Sequence, residues 1–266
     1  MRWILVDVVL VLLALAVTAS VALAQALNLE GAVRQAFAQG PDLASSLATL
    51  QNAKADLVAK EADPSTLIVP LTQARNTAAL NQVQVDAKRL EVISSVMGAY
   101  LNLFEAQENI KVLEAQIALD TRNVEIAKIR LAARNGTQLD VSRSENTLGA
   151  SRQSIADARA NLPILSNRLE VLLGVSTGNL TVSAPPTFKE VKFEIAALEA
   201  NLETRLPSVL QVAQVVQLSD LSVKLSDNDY TPPATLRDNK TALENAQRNL
   251  ATIKKSAVTQ LRDAAR

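Results

Sequence analysis

The sequence of 266 residues predicts an all-α fold made of long antiparallel coiled-coil helical hairpins. The first observation is an apolar residue at every seventh position from Val96 to Leu131. The second is the same spacing from Val141 to Leu169, and the third is Gly136, which lies between the two series. Apolar residues at two positions of a seven-residue repeat are typical of helices that pack by knobs into holes.

The two series predict a very long helix from Leu71 to Asn135 and a returning helix from Leu139 to Leu173. At 1.5 Å per residue the first helix would reach roughly 100 Å. Pro163 is expected to kink or break the second helix near Arg159, because proline lacks the backbone N–H. The inward stripes are Val96, Leu103, Ile110, Ile117, Val124 and Leu131 in the first helix, and Val141, Leu148, Ile155, Leu162 and Leu169 in the second.

Residues 1–24 are expected to form a signal peptide. Arg2 supplies the positive charge, Ile4 to Leu23 supplies the apolar stretch, and Ala22-Leu23-Ala24 is a small-residue cleavage site. The apolar stretch is also long enough to remain as an uncut membrane anchor. Either way, the sequence predicts an exported protein in the periplasm or associated with the outer membrane.

Composition argues against an enzyme. The chain contains no cysteine and no histidine, so the commonest ligands of transition metals and the commonest general base are absent. We therefore expect no catalytic residue, no cofactor and no metal. Glu105 and Glu108 share a helical face, as paired catalytic carboxylates would, but this spacing is routine on a solvated helix. The 27 basic and 27 acidic residues balance, which disfavours nucleic acid as a partner.

The mature chain opens with a short helix from Leu29 to Gln39, which Gly40-Pro41 separates from a helix over Asp42–Glu61. A short link over Thr66–Leu71, containing Pro70, leads to the long helix. After Gly174 the segment from Ser176 to Pro186 is predicted to be non-helical, with a short edge strand at Thr181–Ser183.

The C-terminal part repeats the order of the N-terminal part. Placing Pro207 against Pro41 aligns Val209 with Leu43 and Val223 with Leu57. The predicted domains are therefore a first helical repeat at 25–175 with its tip turn near 136–140, a non-helical linker at 176–192, and a truncated second helical repeat at 193–266. A chance alignment of two helices rich in alanine and leucine is the alternative.

Several segments together resemble the TolC-type outer membrane efflux proteins. The resemblance implies β-hairpins that three chains pool into an outer-membrane barrel, and helices whose tips meet the adaptor protein of a tripartite pump. The segments are Leu27-Asn28-Leu29-Glu30-Gly31-Ala32-Val33-Arg34-Gln35-Ala36, Gly40-Pro41-Asp42-Leu43, Ala99-Tyr100-Leu101-Asn102-Leu103, Gly136-Thr137-Gln138-Leu139-Asp140-Val141-Ser142-Arg143-Ser144-Glu145 and Leu169-Glu170-Val171-Leu172-Leu173-Gly174.

The sequence departs from this family where the barrel strands belong. The links between Glu61 and Thr72 and between Asp227 and Leu236 are too short for two membrane-crossing strands, which need about nine to eleven residues each. The predicted fold is therefore the TolC-like helical part without the β-barrel.

The favoured function is a non-enzymatic cell-envelope protein, a periplasmic structural or adaptor-binding coiled-coil component. The residues of the tip are the candidates for binding a partner. The alternative is that the same residues form only a capped turn between two helices, with no role in binding. The other functional hypothesis is a divergent component of a trans-envelope efflux or secretion conduit. That component would form a homo-oligomer, with a trimer favoured by the resemblance, and an outer-membrane partner would supply the pore. The tip residues are Gly136, Thr137, Gln138, Leu139 and Asp140.

Overall fold

A computed structural model describes residues 27–176, 178, 180–183 and 194–265, and the predicted signal peptide lies outside these residues. The described residues are almost entirely helical, which confirms the predicted all-α class. They form α1 (Leu29–Gln39), α2 (Pro41–Ala62), α3 (Ile68–Ala132), α4 (Gln138–Leu173), α5 (Ile195–Ala200), α6 (Leu202–Arg205), α7 (Pro207–Ser226) and α8 (Pro233–Ala264).

The chain divides into two compact units. The first comprises residues 27–38 and the described part of 95–187, and the second comprises residues 39–94 and 194–265. Helix α3 therefore supplies residues 68–94 to the second unit and residues 95–132 to the first. The sequence-based division into repeats at 25–175 and 193–266 stays a prediction.

The first unit is built on the antiparallel pairing of α3 with α4. Two ion pairs fix the register: Arg159 Nη2 lies 2.8 Å from Glu114 Oε1, and Lys128 Nζ lies 2.9 Å from Glu145 Oε1. Glu114 and Lys128 are two heptads apart on α3, and their partners Arg159 and Glu145 are two heptads apart on α4 in the reverse order. The two helices therefore run antiparallel in the same register at both pairs. The inward stripe is buried or half-buried as predicted, and its fully buried members are Val96, Leu103, Val124, Val141, Leu148, Ile155 and Leu169.

One inward position carries a carboxylate instead of an apolar group. Asp120 is 3% exposed, and its two oxygens accept hydrogen bonds from Ser151 Oγ at 2.6 Å and from Gln116 Nε2 at 3.0 Å. A buried carboxylate needs such donors, because leaving one unpaired costs free energy. The Asp120–Ser151 bond therefore joins α3 to α4 at one register.

Leu27, the first described residue, lies at the end of the α3–α4 hairpin that is opposite the turn, which we call the base. Leu27 N donates to Thr181 O at 3.1 Å, and Ser183 N donates to Leu27 O at 3.2 Å, which forms a parallel bridge between Leu27 and Val182. Tyr100 Oη donates to the same Leu27 oxygen at 3.2 Å. The predicted strand at Thr181–Ser183 is thus a single bridge.

The same segment is also held to the last turns of α4. Buried Glu170 accepts from Gly178 N at 3.2 Å, and Ser166 Oγ accepts from Leu180 N at 2.7 Å. These side chains replace the backbone partners that a longer strand would have provided.

Two predictions about prolines need correction. Helix α4 is continuous through Pro163, so the break that the sequence allowed does not occur, and Ile155 and Leu169 are buried on either side of the proline. Pro70 lies in the first turn of α3, not in a link, because the first turn needs no partner for the missing N–H.

The links in the second unit are short turns. Asp63 Oδ1 accepts from Ser65 N at 2.9 Å, and Asn228 Oδ1 accepts from Tyr230 N at 3.0 Å. No strand lies in either of these described links, which agrees with the predicted absence of room for membrane strands. None of the described helices is both long enough and apolar enough to cross a membrane.

The second unit contains two antiparallel helix pairs. Arg75 Nη2 lies 3.0 Å from Glu61 Oε1 between α3 and α2, and Asn239 Nδ2 donates to Ser226 Oγ at 2.6 Å between α8 and α7. Gln214 Nε2 donates to the Asn76 carbonyl at 2.8 Å, which joins the two pairs.

We expect Ser151→Ala to lower the free energy of unfolding by about 1–3 kcal/mol, because it removes a donor from the buried Asp120 carboxylate. Thermal and urea unfolding followed by circular dichroism would measure the change. Ser154→Ala is the matched control, since Ser154 is exposed and donates only within its own helix. Equal stability of the two variants would contradict the role assigned to the Asp120–Ser151 bond.

Candidate partner-binding tip

The tip begins where α3 ends, at Ala132, three residues earlier than predicted. Asn135 N donates to Arg130 O at 2.8 Å and Arg134 N donates to Leu131 O at 3.0 Å, which is the hydrogen-bond pattern of a Schellman motif. Arg134 has a φ of 58°, in the left-handed region that usually holds glycine at this position. The residue that reverses the chain is therefore Arg134.

Gly136 is needed for a different reason. A Cβ at this residue would lie 3.1 Å from Arg130 Cβ and 3.4 Å from Leu131 N. The backbone of the turn thus passes close to the last turn of α3, and a side chain there would push the two apart.

The returning helix starts with a reciprocal capping box. Thr137 Oγ1 accepts from Asp140 N at 3.2 Å, and Asp140 Oδ2 accepts from Thr137 N at 2.9 Å and from Thr137 Oγ1 at 2.7 Å. The Thr137 hydrogen bonds hold the pKa of Asp140 below its ordinary value of 3.8, and the charges of Arg143 and Arg130 lower this pKa further. Thr137 is therefore the N-cap of α4, and Asp140 completes the capping box from the first turn of the helix.

The structure brings all five predicted tip residues together but gives them different tasks. Gly136, Thr137 and Asp140 close the turn, whereas the side chains of Gln138 and Leu139 are exposed, and Leu139 keeps 56% of its surface accessible. Within the described residues, no group of three or more acidic side chains could hold a metal ion.

A groove of about 520 Å³ adjoins the turn between α3 and α4. Sequence reasoning missed the residues that α3 contributes to it, although Asn123 and Arg130 are seven residues apart and so share a face. The groove is lined by Asn123, Ile126, Ala127, Arg130, Asn135, Gly136, Asp140 and Ser144.

Comparison with known protein families matches the part of the chain that contains this hairpin. Residues 70–175 match the family model of the outer membrane efflux proteins. The resemblance to TolC-type proteins inferred from the sequence is thereby confirmed, and the match includes the whole tip. No curated protein matches the sequence.

Solved structures share the fold at low sequence identity. The outer membrane protein VceC from Vibrio cholerae has a TM-score of 0.66 and 14% identity, with 87% of this chain and 75% of VceC covered. The outer-membrane channel OprN has a TM-score of 0.62 and 15% identity, with 87% of this chain and 70% of OprN covered. The CmeC outer membrane channel from Campylobacter jejuni has a TM-score of 0.60 and 13% identity, with 86% of this chain and 68% of CmeC covered. These matches establish a common helical fold.

We expect Arg134→Gly to raise the free energy of unfolding by about 0.5–1 kcal/mol, because glycine adopts the left-handed conformation without steric cost. Chemical denaturation would measure the gain. Ala132→Gly, at the right-handed end of α3, is the control and should lower stability by a similar amount. A loss of stability in Arg134→Gly would show that the arginine side chain makes a compensating contact.

The capping box predicts a dependence of stability on pH. Because the pKa of Asp140 is lowered in the folded protein, its stabilising contribution is present above about 3.8 and is lost as the pH falls through the lower folded value. The difference in melting temperature between the wild type and Asp140→Asn should therefore be constant near pH 7 and shrink below pH 3.8. A difference that stays constant down to pH 2.5 would contradict this account.

Proposed function

We propose that this chain is a non-enzymatic, exported cell-envelope component whose tip docks a periplasmic adaptor protein. The observation that carries the proposal is the tip itself, a turn closed by its own hydrogen bonds at the exposed end of a paired helical hairpin. The match of residues 70–175 to the outer membrane efflux proteins supports a place in the periplasm or at the outer membrane.

The geometry of the tip suits docking because the turn is already ordered. The Schellman hydrogen bonds and the capping box satisfy the backbone at both helix ends. Docking would then cost this chain little conformational entropy, since its loop does not have to fold first. Gln138 and Leu139 are the side chains available for contact, and the adjacent groove offers Asn123, Arg130 and Ser144 as polar neighbours.

A second candidate function is a component of a trans-envelope conduit. It is favoured by the fold shared with an outer membrane protein and with two outer-membrane channels. In this function the chain forms a homo-oligomer, with a trimer as the expected state, and another protein supplies the pore through the outer membrane.

We expect Leu139→Lys to weaken binding of a purified adaptor protein from a tripartite pump by at least 10-fold, about 1.4 kcal/mol. The exposed apolar side chain would be replaced by a charge that must be desolvated on docking. Surface plasmon resonance against a panel of such adaptors would measure the affinity.

Val58→Lys is the control for the tip variant, because Val58 is 64% exposed and lies in the second unit. Equal binding by the wild type and both variants would show that the tip is not the docking site. If the wild type bound no adaptor of the panel, the result would count against the adaptor role.

A further inference from the structure

Positive charge is concentrated at the turn between α3 and α4. The whole chain carries 27 basic and 27 acidic residues. Across the turn, however, the basic residues are Arg130, Arg134 and Arg143, and the acidic residue among them is Asp140. The tip of a chain with no net charge is therefore locally basic.

The three arginine side chains of the tip have no partner within the turn. All three are exposed, and within the described part of the chain none of these side chains donates a hydrogen bond or forms an ion pair. Besides the Thr137 hydrogen bonds, the charges of Arg143 and Arg130 lower the pKa of Asp140. Both of these guanidinium groups therefore lie near the capping box.

Arg134 occupies its position at a cost to stability. Its φ of 58° lies in the left-handed region, where arginine carries a steric penalty that glycine does not. Residues held in such conformations cluster at functional sites. Because no internal hydrogen bond or ion pair of the Arg134 side chain offsets this cost among the described residues, a contact with another molecule would account for the arginine.

Helix electrostatics are the alternative explanation. Arg130 lies in the last turn of α3 and Arg134 follows the end of this helix, and basic residues stabilise the negative end of a helix dipole. Arg143 lies instead in the second turn of α4, near the positive end, where a basic residue gains nothing from the dipole. The helix dipoles therefore explain two of the three arginines.

The groove beside the turn adds neutral donors to this charge. Arg130 lines the groove together with Asn123 and Asn135, whose side-chain amides form no hydrogen bond among the described residues. A guanidinium binds a carboxylate through two parallel hydrogen bonds, and an amide beside it supplies a further donor. Ile126 and Ala127 also line the groove, so the stem of an acidic side chain would meet apolar surface.

The acidic residue of the groove is engaged within the turn. Asp140 Oδ2 accepts hydrogen bonds from Thr137 N and Thr137 Oγ1, and Ser144 Oγ donates to Asp140 O at 3.1 Å. The arginine and amide donors are not engaged in this way. The groove can therefore offer hydrogen-bond donors and positive charge to a partner without first breaking a contact of its own.

We propose that Arg130, Arg134 and Arg143, the arginine cluster of the tip, recognise carboxylate side chains on the docking protein. The inference rests on adaptor docking at the tip and names the chemistry of the partner surface, which is acidic. Arginine and carboxylate form charge-assisted hydrogen bonds, and complementary charge speeds association and excludes partners that present a basic surface.

The first experiment uses a defined carboxylate probe. Two synthetic helical hairpin peptides differ only at their turn, which carries glutamates in one peptide and glutamines in the other. Surface plasmon resonance measures the binding of each peptide to the full-length wild type, Arg134→Gln and Arg152→Gln. Arg152 is the matched control, because its side chain is also exposed and without an internal partner among the described residues, but it lies about two and a half turns beyond Arg143.

We expect the wild type to bind the glutamate peptide at least 10-fold more tightly than the glutamine peptide, as charge-assisted hydrogen bonds allow. Arg134→Gln should lose most of this preference, and Arg152→Gln should keep it. Arg134→Lys should keep only part, because lysine retains the charge but cannot form two parallel hydrogen bonds. Raising the salt concentration should reduce the preference of the wild type.

A stability measurement separates recognition from helix electrostatics. Arg134→Gln keeps a side chain at the left-handed position, so its unfolding followed by circular dichroism should match that of the wild type. A less stable Arg134→Gln that still prefers the glutamate peptide would show that the arginine serves α3 alone, and would overturn the inference. Equal binding of the two peptides to the wild type, or an equal loss in Arg134→Gln and Arg152→Gln, would overturn it as well.

The second experiment separates this inference from the proposed function. Each adaptor protein that binds the wild type is tested against Arg130→Gln and Arg134→Gln, which we expect to bind about 10-fold more weakly. Adaptor binding that both variants leave unchanged would overturn the inference and leave adaptor docking standing. A wild type that binds no adaptor but prefers the glutamate peptide would contradict the proposed function and support carboxylate recognition at the tip.

Discussion

The first unit depends on the register between α3 and α4. Apolar burial alone would allow these helices to slide by whole heptads, because each repeat presents a similar stripe. The Asp120–Ser151 hydrogen bond and the two ion pairs between the helices favour one alignment, since a shifted hairpin would bury the Asp120 carboxylate without the Ser151 donor. The position of the tip follows from this single alignment.

Hydrogen bonds within the tip determine which of its side chains are available for other contacts. Thr137 and Asp140 are hydrogen-bonded to each other, so Thr137 Oγ1 and Asp140 Oδ2 are engaged within the turn. Gly136 contributes space and Arg134 contributes the left-handed conformation. Gln138 and Leu139 are exposed and take no part in these hydrogen bonds.

The sequence was sufficient for the features that periodicity determines. It predicted the all-α class, the hairpin and the turn at Gly136, because each follows from spacing or from one local interaction. It placed the end of α3 too late, since an arginine at the left-handed position gives no local signal. It also predicted a kink or a break at Pro163, and the helix continues through that residue.

A second heptad series of apolar residues in α3 was less visible in the sequence, although its signal was present. Val112, Leu119 and Ile126 repeat every seventh residue, two positions after the inward stripe, and an inward stripe with stronger apolar residues hides such a second series. Exposure distinguishes the two series, and exposure depends on which helix face the partner covers. That information requires the pairing of α3 with α4.

The bridge between Leu27 and Val182 has a practical consequence for labelling. The Leu27 carbonyl oxygen also accepts a hydrogen bond from Tyr100 Oη. Tyr100 lies about nine turns, or roughly 50 Å along the helix, before the end of α3. A fluorophore or an affinity tag attached just before Leu27 would therefore sit at the end of the hairpin opposite the turn. The protein could be immobilised through that point for single-molecule measurements while the turn stays accessible from solution.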